Sequence, residues 1–340
     1  MTIWPSREVR LVRAPAGLPS VEDFAVAEVE VGDPAPGEAI VRNAYCSVDP
    51  FMRMMMSTVR PVADRPASQA GQALGGGAVG IVVASRAPGL AEGDWVVHQE
   101  GWREIARIRE DGDAVRRIDR RAAPVSTALG VLGMPGLTAW YGMLRFGLPR
   151  AGETVYVSAA AGTVGSLAAQ LAAAQGSRVI CSAGSQRKLD WLARCGFDES
   201  FDYRERPVQD ALAELAPDGI DLYFDNVGGA HLQAAIDNMA FRGRIVACGA
   251  VSLYNDARAT PGPSNLDLLF TKELTIQGVR SRAHRECYPE FLDEVTPLVT
   301  AGSIRYAETT VSGIEKAPAA FIGLFSGENL GKMLVDVAPA

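Results

Sequence analysis

The sequence predicts an α/β protein with two parts, a doubly wound parallel sheet and an antiparallel β-barrel-like unit. Three observations predict it. The middle of the chain alternates apolar strands with amphipathic helices, the first third is a series of short β-prone runs, and strand-like pieces return after about residue 305. Strand–helix alternation implies parallel pairing, because a crossover helix must carry the chain back before the next strand starts. The returning strands imply that the chain end rejoins the first part. The expected division is residues 1–128 with 306–340 for the β unit and 129–305 for the sheet-and-helix unit.

Each element has its own signal. Residues 8–12, 24–30, 38–43 and 78–85 are β-prone, and Val31-Gly32-Asp33-Pro34-Ala35-Pro36-Gly37 punctuates them. Glu92-Gly93-Asp94 reads as a tight turn feeding a strand at Trp95. Thr58 to Gln72, rich in Pro, Ala and Ser, reads as a mobile loop. Residues 154–159 form a buried-strand run. The following helix puts Val164, Leu167, Ala168, Leu171 and Ala172 on one face and stops at Gly176. A strand at 178–182, a helix at 186–194, a strand at 220–225, a helix at 230–240 and a strand at 244–249 continue the alternation.

Composition excludes several classes. The 340 residues are 48% hydrophobic and 21% charged, enough for two cores of ordinary domain size. A net charge of −7 argues against a nucleic-acid groove or a polybasic membrane anchor. No apolar run approaches the ~18–20 residues that span a bilayer, and the start lacks a basic segment followed by an apolar stretch. A cytoplasmic location is expected. The five scattered cysteines fit reduced thiols better than a disulfide frame.

The first strand of the alternating part runs into Ala159-Ala160-Ala161-Gly162-Thr163-Val164-Gly165, an A-x-G-x-x-G dinucleotide turn of a Rossmann sheet. Gly162 lets backbone approach a pyrophosphate, Gly165 lets helix pack on strand, and Thr163 and Val164 open the helix whose N–H groups face the anion. At the end of the second strand an NAD site needs an acid for the ribose hydroxyls. Here stands Cys181-Ser182-Ala183-Gly184-Ser185-Gln186-Arg187-Lys188, with no acid and two cations. Gly184, Ser185 and Lys188 suit a 2′-phosphate. Each charge-assisted contact contributes roughly 1.5–3 kcal/mol, about tenfold to a hundredfold in preference. NADPH is the expected cofactor.

No metal is expected. His98, His231 and His284 are far apart in sequence, and Gln72 to Gly77 carries no His-Glu pair. Cys46 reads as a loop residue, and no four-cysteine cluster exists. Hydride reduction of an isolated ketone then lacks a Lewis acid. A conjugated double bond asks for less, since hydride goes to the β-carbon and one hydrogen-bond donor can stabilise the enolate.

The chain resembles the medium-chain dehydrogenase/reductase superfamily, within it the branch of prostaglandin reductases, leukotriene dehydrogenases, alkenal double-bond reductases and bacterial curcumin reductases. The resemblance covers nearly the whole length. It rests on Ser47-Val48-Asp49-Pro50-Phe51-Met52-Arg53, Gly133-Met134-Pro135-Gly136-Leu137-Thr138-Ala139, the glycine turn, Tyr223-Phe224-Asp225-Asn226-Val227-Gly228-Gly229, the stretch from Gly243 to Asn255, and Gly327-Glu328-Asn329-Leu330-Gly331-Lys332.

The resemblance implies a GroES-like fold for the β unit and a homodimer. Lys188 and Tyr203 would meet the adenosine side of the cofactor. Asn226, Cys248, Gly249, Ala250 and Ser252 would line it, Val279 and Arg280 would border its nicotinamide end, and Asn329 would reach it from the chain end. Tyr254 is implied as the catalytic donor to the enolate. Phe51, Met52 and Arg53 would face the substrate, with Phe51 where many relatives carry tyrosine. The segment Arg280-Ser281-Arg282-Ala283-His284-Arg285 departs from the family's apolar run. Arg282 and its neighbours either grip an anionic substrate, such as a carboxylate or a carrier's phosphate, or form a surface or subunit-contact patch. Met52, Met54, Met55 and Met56 read equally as pocket lining and as core packing. The rival activity on the same fold is NADPH:quinone reduction.

Overall fold

The computed structural model describes residues 2–57, 67–112, 114–256 and 260–338; residues 58–66 of the loop expected at 58–72 lie outside them. Two compact units form, one from Met1–Leu129, Tyr254–Arg258 and Glu308–Ala340, the other from Gly130–Leu253 and Ala259–Ala307.

The first unit begins with β1 (Trp4–Leu11) and β2 (Phe24–Val31), an antiparallel pair in register from Trp4↔Val31 to Leu11↔Phe24. The central strand is β3 (Glu38–Val48), which pairs antiparallel with both β4 (Ala78–Ser85) and β6 (Ile105–Arg109). Between β3 and β4 lies the short helix α1 (Met52–Met55); β5 (Trp95–His98) and β7 (Arg116–Arg117) extend the sheet beyond β4. The expected end of β3 at residue 43 is corrected, and with it the loop placement of Cys46. The strand continues because Asn43, polar and buried, is satisfied inside the sheet. Its Nδ2 donates to Arg103 O at 2.8 Å and its Oδ1 lies 2.8 Å from His98 Nε2. Cys46 is thereby fully buried in β3.

In the second unit α2 (Met134–Tyr141) runs on into a π-helical turn at Gly142–Gly147. Strand and helix then alternate: β8 (Thr154–Val157), α3 (Thr163–Ala174), β9 (Arg178–Ala183), α4 (Gln186–Arg194), β10 (Ser200–Asp202), α5 (Val208–Leu215), β11 (Ile220–Asp225), α6 (Gly229–Asn238), β12 (Met239–Ala247), α7 (Leu268–Thr271), β13 (Thr275–Gly278) and α8 (Tyr288–Thr300). All six strands are parallel, in spatial order β10-β9-β8-β11-β12-β13. That is the 3-2-1-4-5-6 order of a Rossmann sheet, whose direction of winding reverses between β8 and β11. The helix expected to reach residue 240 stops at Asn238. Met239 turns to extended geometry (ψ 141°), buries its side chain and starts β12 opposite Ile220.

The chain then returns to the first unit as β14 (Glu308–Ser312), α9 (Ala317–Ser326) and β15 (Lys332–Asp336). Strand β15 pairs antiparallel with β3, but β14 pairs parallel with β15, so the sheet is mixed rather than wholly antiparallel. Helix α9 carries the chain from the end of β14 back to the start of β15, which makes the parallel pairing possible. Phe321 of α9 completes an aromatic cluster with Phe24 and Trp102, centroids 5.9–6.2 Å apart.

Candidate active site

The glycine turn sits at the carboxyl end of β8, beside the switch point. Ala159 takes left-handed geometry (φ 49°), Gly162 N donates to Ala159 O at 3.0 Å, and Gly162 is the residue before α3. The first-turn N–H groups of any helix have no carbonyl four residues back, so those of Thr163, Val164 and Gly165 are suited to an anion. A Cβ on Gly165 would stand 2.5 Å from Ala159 O, against 3.3 Å for one on Gly162. Gly165 is therefore demanded by packing inside the protein, and Gly162 much less so.

At the next strand end, Gly184 lies under the ring of Tyr203. A Cβ there would meet the Tyr203 hydroxyl at 2.7 Å and Cζ at 2.9 Å. Tyr203 N donates to Ala183 O at 3.1 Å, and the ring is edge-on to His231 with centroids 5.1 Å apart. Ser185 precedes α4 and its carbonyl accepts from Lys188 N at 3.0 Å. The Lys188 ammonium is half-buried; burial pushes its pKa down, Arg204 and Arg187 push the same way, and Asp202 opposes them. Arg204 was not visible from the sequence as part of this site. It arrives because β10 pairs with β9 at Asp202↔Ala183. Cations crowded at the ends of β9 and β10 fit a dianionic 2′-phosphate, which would relieve their mutual repulsion.

On the other side of the switch point the ends of β11 and β12 are tied together. Cys248 N and Gly249 N donate to Asp225 O at 2.9 and 3.0 Å, and Val279 N donates to Ala247 O at 3.0 Å. Asn226 donates twice, from N to Ser158 Oγ at 3.0 Å and from Nδ2 to Ser158 O at 2.8 Å. The Ser252 hydroxyl donates to Val227 O at 2.7 Å and so helps to hold the loop. Ala250 packs within 3.0 Å of where a Gly228 Cβ would be. The Cys248 thiol is pushed up to about 12 by burial, with Asp225 adding to the shift, and stays a thiol at neutral pH. Beyond β13, Arg280 is exposed while Arg282 and Arg285 are half-buried on a turn at Ser281–Cys287. Ser281 Oγ shares a 2.5 Å hydrogen bond with Thr138 Oγ1, and His284 stacks on Tyr141 at 4.1 Å, so α2 fixes that turn.

The remaining expected site residues belong to the first unit. Tyr254 is half-buried in a turn. Phe51 is 36% exposed, whereas Met52 and Met56 join the core and Arg53 is buried. Arg53 braces the loop ahead of β2, Nη2 donating to Pro15 O and Gly17 O at 3.0 Å each and Nε to Gly17 O at 3.2 Å. Lys332, quoted above only within a motif, proves to be a buried strut. Its Nζ donates to Val48 O at 2.9 Å and Asp49 Oδ1 at 2.7 Å, and the Ser47 hydroxyl donates to the other Asp49 oxygen. Asn329 Nδ2 donates to Gly331 O at 2.8 Å.

The three histidines sit in three separate settings. His98 is buried against Asn43 and pushed down to about 3, first by burial and then by Arg103; His231 is pushed down to about 4 by burial; His284 is the one on Tyr141. Among the described residues no group of three or more His, Cys, Asp or Glu is placed to hold a metal ion.

Comparison with known proteins adds to this geometry. Residues 7–118 match the family described as the N-terminal domain of oxidoreductase, and residues 163–296 match zinc-binding dehydrogenase. The putative NADP-dependent oxidoreductase YfmJ of Bacillus subtilis is 40% identical, over 98% of each chain. The NADP(+)-dependent 2-alkenal reductase of Nicotiana tabacum is 38% identical, again over 98% of each. Among solved structures, CurA from Vibrio vulnificus in complex with NADPH superposes with a TM-score of 0.91 at 36% identity, covering 98% of this chain and 100% of that one.

Proposed function

Because the chain belongs to the medium-chain dehydrogenase/reductase family, in its zinc-free alkenal reductase branch, we propose that it reduces the carbon–carbon double bond of α,β-unsaturated aldehydes and ketones with NADPH. The observation that carries the cofactor half is the convergence of Lys188, Arg187 and Arg204 at the adenosine end of the sheet. Those cations and Tyr203 hold the phosphorylated ribose, while the turn from Gly162 to Gly165 holds the pyrophosphate. Asn226, the Cys248-Gly249-Ala250 backbone, Val279 and Arg280 border the nicotinamide half, and Asn329 is assigned to it by resemblance alone. Bound NADPH supplies the hydride.

Tyr254 supplies the other component of the reaction. A phenol O–H can donate to the carbonyl oxygen as negative charge develops there. Loss of one such donor costs on the order of 10²–10³ in rate. Phe51 offers the substrate an apolar edge without a hydroxyl.

Two finer readings accompany this one. The basic turn from Arg280 to Arg285 follows the carboxyl end of β13, the side of a Rossmann sheet on which ligands bind, and suits a substrate with a carboxylate or phosphate remote from its double bond. An unchanged, wild-type-like KM for acidic enones in an Arg282→Ala, Arg285→Ala double variant would remove that reading. The edge strand β13 is exposed throughout, beside Phe270 at 76% and Phe241 at 60% exposure, and suits pairing with a second copy of the chain. Sedimentation of wild type as a monomer at micromolar concentration would contradict it. The main reading is tested by NADPH oxidation against enals, enones and quinones. Quinone turnover without enone turnover would replace it with the quinone reductase activity.

A further inference from the structure

A continuous buried polar chain runs beneath the switch point of the Rossmann sheet, and neither the glycine turn nor the cation cluster accounts for it. Ser182 on β9 shares a 2.8 Å hydrogen bond with the hydroxyl of Tyr156 on β8. The Tyr156 ring stacks on Tyr223 of β11, with centroids 4.7 Å apart and planes at 12°. The Tyr223 hydroxyl lies 3.0 Å from Ser158 Oγ and donates to Asp225 Oδ1 at 2.6 Å. That same carboxylate oxygen accepts from Val227 N at 2.9 Å and Gly228 N at 2.8 Å. Asp225 is 2% exposed, and Ser158, Ser182, Tyr156 and Tyr223 are fully buried.

Burying this many polar groups costs free energy unless every one is satisfied. A core of the same shape could be apolar, so the network must hold something that an apolar core could not. What it holds is specific. Three donors on one oxygen fold the chain after β11 into a tight turn, with Gly228 and Gly229 at φ +67° and +53°. Ser158, the third member, receives the Asn226 main-chain N–H and passes its own carbonyl to Asn226 Nδ2, which fixes both the plane and the flip of that amide. The main-chain oxygen of Asp225 anchors Cys248 and Gly249. Burial pushes the Asp225 carboxyl up, while the Gly228 N–H and the Tyr223 hydroxyl favour its ionised form.

We infer that Asp225, supported by Tyr223 and Ser158, is a positioning residue for hydride transfer, because its carboxylate folds the 226–229 turn, on whose Asn226 and Val227 carbonyls the amides of Val251 and Ser252 in the neighbouring loop are hung, and both border the nicotinamide half of the cofactor. The inference rests on NADPH being the hydride donor. Lys188, Tyr203 and the glycine turn lie across the switch point, so cofactor affinity is expected to survive when Asp225 is altered.

The test compares wild type with Asp225→Asn and with the milder Tyr223→Phe, which keeps the stacked ring and loses one donor. Amide hydrogen exchange on the chain without cofactor is read first, over residues 226–229 and 251–252, whose amides depend on the turn that the carboxylate folds. Both variants are expected to exchange faster there than wild type and unchanged in α4. NADPH affinity, from nucleotide fluorescence, should stay within about threefold, while kcat falls about tenfold or more for Asp225→Asn and less for Tyr223→Phe. With deuterated NADPH the isotope effect on kcat should rise in both variants, because the hydride step becomes slower relative to the others. Wild-type exchange in those loops, or an undiminished kcat at reduced thermal stability, would overturn the inference and leave a structural network. Failure of wild type to bind NADPH would instead remove the cofactor reading, and the exchange result separates the two cases.

Discussion

Replacing Lys188 with alanine tests the cofactor choice in a way the structure makes quantitative. A charge-assisted hydrogen bond to a phosphate contributes roughly 1.5–3 kcal/mol, which is about tenfold to a hundredfold in affinity. Lys188 does not act alone, since Arg204 and Arg187 are close enough to depress its pKa. The remaining cations continue to attract the phosphate, so the loss of NADPH affinity is expected near the tenfold end. NADH has no 2′-phosphate and should be used as well by the variant as by wild type. The sign of the stability effect is also fixed. The folded pKa of Lys188 is lowered, so keeping it charged costs folding free energy at neutral pH, and that cost fades as pH rises from the folded value to the ordinary lysine value. Lys188→Ala without cofactor should therefore melt no lower than wild type at pH 7. The assay is steady-state kinetics with both nucleotides at fixed acceptor, alongside a melting curve. Equal losses with NADPH and NADH would refute the assignment of Lys188 to the phosphate, and a lower Tm would show that the crowding is not repulsive.

Other outcomes follow from single distances and shifts. Gly165→Ala places a methyl 2.5 Å from Ala159 O and should lose about 1–3 kcal/mol of stability, measured by urea unfolding. Lys332→Met strands Asp49 without its ion-pair partner. Because the aspartate side chain is 32% exposed, the loss should fall below the ~3–5 kcal/mol of a wholly buried pair. His98 is neutral in the folded chain down to about pH 3 but protonates near 6.5 when unfolded, so it withdraws stability as pH falls through that interval. His98→Gln should flatten the acid side of a stability–pH curve. Cys46, fully buried and pushed up to about 11 by that burial, should resist thiol reagents at pH 8 until the protein is unfolded.

The Rossmann half was legible because its signals are local. The helix at 186–194 and the strand at 220–225 appear at the expected residues, where apolar periodicity and length agree. The places of the glycine turn and Lys188 were legible for the same reason, since each follows directly on its strand, β8 and β9. What escaped depends on partners distant in sequence. The extension of β3 through Cys46 needs His98 and Arg103 to satisfy Asn43. Parallel pairing of β14 with β15 is decided by where α9 returns the chain, and periodicity carries no sign of direction. Arg204 reaches the end of β9 through strand pairing, and Lys332 is an ordinary charge in sequence that folding buries beside Asp49. The network around Asp225 is spread over β8, β9 and β11, so no single window contained it.

The most direct test of the account is NADPH oxidation by wild type and Tyr254→Phe, followed by nicotinamide absorbance with aliphatic enals, aryl enones, acidic enones and quinones. The account predicts that enones are turned over and that the variant loses on the order of 10²–10³ in kcat with them. Turnover confined to quinones, at equal rates in the two proteins, would contradict it.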